Sequence, residues 1–133
     1  MSLVVVDASV FAAFYAADDP RQPLTTDRLS AGDALFTPAH MDAEVLSALR
    51  GMARGNPTLN AATPAAVKHL ASFPIRRMPL PPLLERMWEL RGHITPYDAA
   101  YVALAERLGC VLATCDTKLA AVGGTRCRFE VIA

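Results

Sequence analysis

The sequence predicts an α/β protein, a three-layer α/β/α sandwich around a central parallel sheet. Three observations carry that prediction. Short apolar runs of strand length alternate along the chain with segments of helical length, and strands separated by helices pair in parallel as βαβ units. The first run, LVVVDAS (3–9), is apolar at successive positions instead of alternating, the pattern of a strand covered on both faces. Of the 133 residues, 53% are hydrophobic, with a mean hydropathy of +0.25, enough to fill a core at this length. No repeat, low-complexity tract or linker divides the chain, so one domain is expected over 1–133.

The elements follow in order. Strand 3–9 hands over to a helix, SVFAAFYAA (9–17), and DDPRQPLTTDRLSAGD (18–33) reads as loop with room for one short helix. ALFTP (34–38) is a second strand, followed by the helix AHMDAEVLSALRGMARG (39–55), which Gly55-Asn56-Pro57 stops. TPAAVKHLASF (63–73) opens another helix, with Thr63 as N-cap and Pro64 at the first helical position. PIRRMPLP (74–81) is a proline-bounded edge strand and PPLLERMWELRGH (81–93) a helix. ITPYDAAYVALAERLG (94–109) gives a helix, CVLATCD (110–116) a strand, TKLAAVGG (117–124) a short helix and RCRFEVIA (126–133) a last strand.

Composition narrows the chemistry. With 13 basic and 13 acidic residues the formal net charge is zero, so the chain exerts no overall electrostatic pull on nucleic acid. The three cysteines are odd in number and lack C-x-x-C spacing, and the three histidines lie far apart. That argues against a zinc site and for small buried thiols in a reducing compartment. No apolar run approaches the roughly 20 residues that cross a bilayer, and the N-terminus has no basic flank. A cytoplasmic protein with no membrane association is expected.

In an open parallel sheet, ligands sit outside the carboxyl ends of the strands, where strand order reverses. Asp7 closes the first strand, Asp116 ends the strand VLATC, Asp98 opens a helix whose N-terminus faces the same edge, and Glu44 lies early in the helix after ALFTP. All four converge on one rim. Each has a purely structural explanation: Asp98 as the acid of a T-x-x-D capping box with Thr95, Asp7 and Asp116 as helix caps, Glu44 as a solvated position. None has a basic partner at i+3 or i+4, however; those places hold Ser47 and Ala48, Tyr101 and Val102, Leu119 and Ala120. Carboxylates gathered without cations repel, and a hard divalent ion such as Mg²⁺ or Mn²⁺ resolves the repulsion. The helix N-terminus is expected to lower the proton affinity of Asp98 and keep it ionised.

VVVDAS, the glutamate of MDAEVLSALR, TPYDAAYVALAE and LATCDTKLA follow, in order and spacing, the motifs of PIN-domain ribonucleases. The sequence most resembles the VapC toxins of bacterial toxin–antitoxin pairs, over nearly its whole length. That resemblance implies a PIN-like fold and a Mg²⁺- or Mn²⁺-dependent endoribonuclease, in which metal held by Asp7, Glu44, Asp98 and Asp116 activates water against RNA phosphodiester bonds. Asp7 and Asp98 would be the main ligands, and Ser9 and Thr114 supporting hydroxyls that hold water or orient a carboxylate. It also implies a cognate antitoxin and a two-fold homodimer, for which PPLLERMWELRGHI with Trp88 offers an aromatic anchor.

Helices 8–17, 39–54 and 63–73 carry more apolar surface than one sheet face consumes, which suggests a groove for an antitoxin helix. With metal offsetting the acids, Arg50, Arg54, Arg76, Arg77, Arg86 and Lys118 are left to meet phosphates. Two other classes compete. An acid-site phosphohydrolase or phospho-receiver would want D-x-D or an acidic pair at the first strand, where the chain offers Asp7-Ala8-Ser9. A catalytically silent protein-binding module is the other; the presence of all four acids gives it no support.

Overall fold

Val4, Val5 and Val6 are fully covered at successive positions of β1 (Leu3–Val6), so helices close both faces of the sheet around this strand. The computed structural model describes residues 2–133. β1 lies at the centre of five strands in the order β3-β2-β1-β4-β5, with β2 Ala34–Pro38, β3 Arg76–Met78, β4 Val111–Thr114 and β5 Phe129–Val131. Every pairing is parallel. From β1 the chain builds outward through β2 to β3, then returns to lay β4 on the opposite side of β1. Strand order therefore reverses between β1 and β4, where α/β folds of this kind place their ligands.

Seven α-helices complete the sandwich: α1 Ala8–Tyr15, α2 Gln22–Leu29, α3 Met41–Ala53, α4 Pro57–Ala71, α5 Leu84–Glu89, α6 Pro96–Leu108 and α7 Thr117–Ala120, with a 3₁₀ turn at Pro81–Leu83. α1 packs on α2 and α3, and α3 on α4, while α5 packs on α6. The helix α6 is buried at seven consecutive positions, Ala99 to Ala105, because its small and apolar residues run all round the axis. Gly109 ends it in the left-handed conformation, φ 63°, where glycine carries no steric penalty. Truncating a fully buried side chain such as Leu104 to alanine should cost about 2–5 kcal/mol.

Several boundaries differ from the sequence expectation. The helix expected at 63–73 begins at Pro57, with the Asn56 side chain accepting from the Leu59 N–H at 3.1 Å. The Asn56-Pro57 start is thus the effective one, and the helix runs through Pro64. Thr63, expected as N-cap, instead donates its hydroxyl to the Leu59 carbonyl at 2.8 Å. The 18–33 segment holds a two-turn helix, α2, and the elements expected at 81–93, 117–124 and 126–133 shrink to α5, α7 and β5. Among the three free cysteines only Cys115 is buried; Cys110 and Cys127 are half-exposed. No helix among the described residues is long and apolar enough to cross a membrane.

Candidate active site

The chain leaves β1 at Asp7 and β4 at Thr114, neighbouring strands whose register sets Val6 opposite Ala113. Asp7 is buried, yet it forms no cap on α1, so the capping explanation fails for this residue. Its Oδ2 accepts two hydroxyl protons, from Thr114 at 2.6 Å and from Ser9 at 2.8 Å. Each hydroxyl oxygen in turn accepts a backbone N–H from the β4–α7 turn: Cys115 donates to Ser9 at 2.9 Å and Asp116 to Thr114 at 3.0 Å. With both hydroxyl protons committed to Oδ2, Ser9 and Thr114 lie 3.3 Å apart without a proton to share. Neither hydroxyl reaches Oδ1. Burial outweighs these bonds and, with the nearby charge of Glu44, raises the Asp7 pKa above the ordinary carboxylate value.

Asp98 sits in the first turn of α6, behind Pro96. Thr95 caps that helix by accepting from the Asp98 N–H at 3.3 Å, but no reciprocal bond from the Asp98 carboxylate to Thr95 completes a capping box. Its pKa is raised to about 6, by burial first and then by the charges of Asp7, Glu44 and Asp116, with His40 pulling the other way. The expectation that the helix N-terminus would hold Asp98 at low proton affinity is therefore corrected. In the metal-free chain, burial and three neighbouring carboxylates outweigh the helix dipole. The charges of Asp7, Glu44 and Asp116 thus all bear on Asp98.

One oxygen of Glu44 in α3 is faced by a hydrogen-bond donor and by a histidine at ion-pair distance. Tyr101 of α6 donates to Oε1 at 2.5 Å, and Nε2 of His40 stands 3.2 Å from the same atom. Burial opposes ionisation, but these two partners hold the Glu44 pKa below the usual glutamate value. Burial also opposes the charge on His40, yet Glu44, the Tyr97 carbonyl and Asp7 keep its pKa above the ordinary histidine value. Asp116 is the acid for which the cap reading holds: its Oδ1 accepts from the N–H groups of Lys118 and Leu119. Oδ2 takes no part in the cap.

The donor set suits a hard cation, since each acid keeps an oxygen outside its structural bonds, and the mutual repulsion raising Asp98 is what a divalent ion relieves. Among the described residues no group of three or more acid, histidine or cysteine side chains stands gathered closely enough to hold a metal ion by itself. An open set of carboxylates completed by water and substrate phosphate is the arrangement Mg²⁺ ordinarily takes.

The family model for the PIN domain matches residues 4–125. The chain belongs to the PIN-domain family. Among curated proteins it is 37% identical to ribonuclease VapC12 of Mycobacterium tuberculosis over 131 residues, covering 98% of this chain and 100% of that protein. It is 43% identical to ribonuclease VapC3 of the same organism over 117 residues, covering 88% and 85%. Among solved structures it superposes on PAE2754 from Pyrobaculum aerophilum with a TM-score of 0.70 at 30% identity, covering 98% of this chain and 84% of that one. The three-layer α/β/α architecture expected from the sequence is the PIN fold.

Within this PIN domain the cationic surroundings of the acids differ from expectation. Arg77 is committed to structure: it pairs with both oxygens of Asp42 and donates to the carbonyls of Leu70, Phe73 and Ile75. Arg86 is held by Glu106 and the Gly124 carbonyl. Neither is available for phosphate. Arg50, Arg54, Arg76 and Lys118 form no ion pair among the described residues, and Lys118 directly follows the Asp116 turn. His40 and Tyr101 were not identified as site residues from the sequence. His40 lies at i−4 from Glu44, on the side opposite to i+3 and i+4, and an i,i+4 His–Glu pair is the signal that could have found it.

Proposed function

We propose that the chain is a metal-dependent endoribonuclease and the toxin of a toxin–antitoxin pair, with residues 1–133 acting as one nuclease unit. The supporting observation is that Asp7 and Asp116 stand at the ends of β1 and β4, either side of the crevice where strand order reverses, each with one carboxylate oxygen outside its structural bonds. Four carboxylates there would be unfavourable in a merely structural site. The ribonuclease names of its relatives point the same way.

Asp7 and Asp98 would be the principal ligands of Mg²⁺ or Mn²⁺, with Glu44 and Asp116 completing the set. Ser9 and Thr114 are supporting residues: by occupying Oδ2 of Asp7 they fix its rotamer and turn Oδ1 to the ligand. A bound divalent ion supplies Lewis acidity, neutralising charge on the scissile phosphate and on the departing oxygen. The protein's own part is to hold the carboxylates ionised and oriented, and to accept the proton lost by the attacking water. Glu44, kept ionised by its two partners, is suited to orienting that water.

A cognate antitoxin would occupy the groove between α3 and α4, about 370 Å³, lined by Leu46, Val67, Leu70 and Ala71 with Asp42 and Arg77 at its edge. α1 contributes less than expected, because Val10, Phe11 and Ala13 are consumed by the core. Trp88 is 67% exposed and not a core residue, so it is placed to anchor a homodimer. Free thiols suit a cytoplasmic location.

The experiment is incubation of the purified chain with total RNA in Mg²⁺ or Mn²⁺, and in excess chelator. Endonucleolytic fragments in metal and none in chelator are expected. Intact RNA under both conditions, from folded protein, would favour the binding-module reading; release of phosphate from small phosphomonoesters would favour the phosphohydrolase.

A further inference from the structure

His40 stands at the N-cap position of α3 but caps nothing. Its Nε2 faces two acceptors, the Tyr97 carbonyl at 3.0 Å and Oε1 of Glu44 at 3.2 Å. Two acceptors fix the tautomer, so Nε2 carries a proton. Nδ1 on the opposite edge of the ring is buried with no partner. The ring lies against Tyr101, with centroids 5.1 Å apart, and near Tyr97 at 6.2 Å.

For packing alone, a hydrocarbon ring would fill this place without stranding a nitrogen. What histidine adds is the Nε2–H bridge. One end of the bridge is the carboxylate of Glu44, on α3; the other is the carbonyl of Tyr97, the residue before Asp98 at the start of α6. No other side chain among the described residues hydrogen-bonds the Tyr97 carbonyl while standing within ion-pair distance of Glu44. Tyr101 donates to the same oxygen of Glu44, so both partners face Oε1.

We infer that His40 is a positioning residue that sets the separation of Glu44 and Asp98, and so the affinity of the acid site for a divalent cation. The inference rests on the acid-site reading above. Residues that orient metal ligands through hydrogen bonds commonly change metal affinity by about 10–100-fold when removed. The role belongs to the donor and not to the ring, which makes two substitutions give opposite answers. His40→Phe keeps the ring and loses the bridge; His40→Gln loses the ring but carries an amide N–H the same number of bonds from Cβ as Nε2.

The test is titration of metal-free protein with Mn²⁺, following free Mn²⁺ by electron paramagnetic resonance, with circular dichroism of each metal-free variant as the folding control. His40→Phe should bind Mn²⁺ about 10-fold more weakly than the parent or worse, and His40→Gln should recover most of that loss. His40→Leu replaces the phenylalanine variant if the larger ring does not fold. A phenylalanine or leucine variant that binds like the parent overturns the inference, as does a folded glutamine variant no better than phenylalanine. A parent that binds no Mn²⁺ overturns the acid-site reading itself, and the inference with it.

Discussion

Tyr101 on α6 donates its phenolic proton to Oε1 of Glu44 on α3 at 2.5 Å, joining residues 57 apart in sequence. The ring of Tyr101 is wholly buried, and its bond to an anion raises the phenol pKa far above the ordinary value, after burial itself. Tyr101→Phe preserves the shape and removes the donor. It should lower stability by about 1.5–3 kcal/mol, the range for a hydrogen bond to a charged group, measured by urea denaturation of metal-free protein. It should also reduce RNA cleavage, because Glu44 then keeps only His40 as an orienting partner. Parental stability would show that the bond contributes nothing net.

The pKa of Asp98 gives a pH prediction with a definite sign. Its folded value, about 6, lies above the ordinary aspartate value of 3.8. Below the lower value both states are protonated and the residue costs nothing. As pH rises through the window the unfolded state loses its proton first, so stability falls, and above the upper value the full penalty remains. Asp98→Asn should therefore melt higher than the parent at pH 7 in chelator, with the advantage shrinking toward pH 4. Melting curves across that range check this; a variant less stable than the parent at pH 7 would return Asp98 to a helix-dipole role.

Trp88 projects from α5 with the guanidinium of Arg91 4.5 Å from its ring centroid, and Leu84 is exposed on the same short helix. A large exposed aromatic beside an arginine has the composition of an interface anchor. Light scattering at low micromolar concentration should show twice 14.3 kDa, and Trp88→Ala should shift the species toward that single mass. A parental monomer would contradict the proposed dimer.

Leu46 and Val67, 42% and 37% exposed, both line the α3–α4 groove. Leu46→Asp should leave the free chain folded, since the position is partly solvated, while weakening capture of a co-expressed antitoxin by tenfold or more, about 1.4 kcal/mol. Pull-down yield and a titration of the complex read the effect. Unchanged affinity would remove the groove from the interface.

Much of the acid site is legible in the sequence because each of Asp7, Asp98 and Asp116 stands where hydrophobic periodicity changes from one element to the next. Those junctions fall on one edge of any parallel sheet. What the sequence hides are relationships across the fold. His40 answers to a carbonyl 57 residues away, and Arg77 is drawn out of the solvent by Asp42, 35 residues distant, and by the carbonyl end of α4. The start of α4 falls earlier than expected for a local reason: Asn56-Pro57, read as the stop of the preceding helix, carries the same start signal as Thr63-Pro64. Only the observed caps decide between them. The low proton affinity expected for Asp98 failed because the helix dipole was weighed alone, without the neighbouring carboxylates.

On the proposed function, the carboxylates of Asp7, Glu44, Asp98 and Asp116 hold the divalent ion on which RNA cleavage depends. The most direct test is the single-turnover rate of RNA cleavage by Asp98→Asn and by the parent across a Mn²⁺ titration. The variant's rate should fall about 100-fold or more at every concentration, as expected when several kcal/mol of transition-state stabilisation are lost, and its half-saturation should shift to higher Mn²⁺. A variant that cleaves at the parental rate with the parental Mn²⁺ dependence would contradict the proposed function.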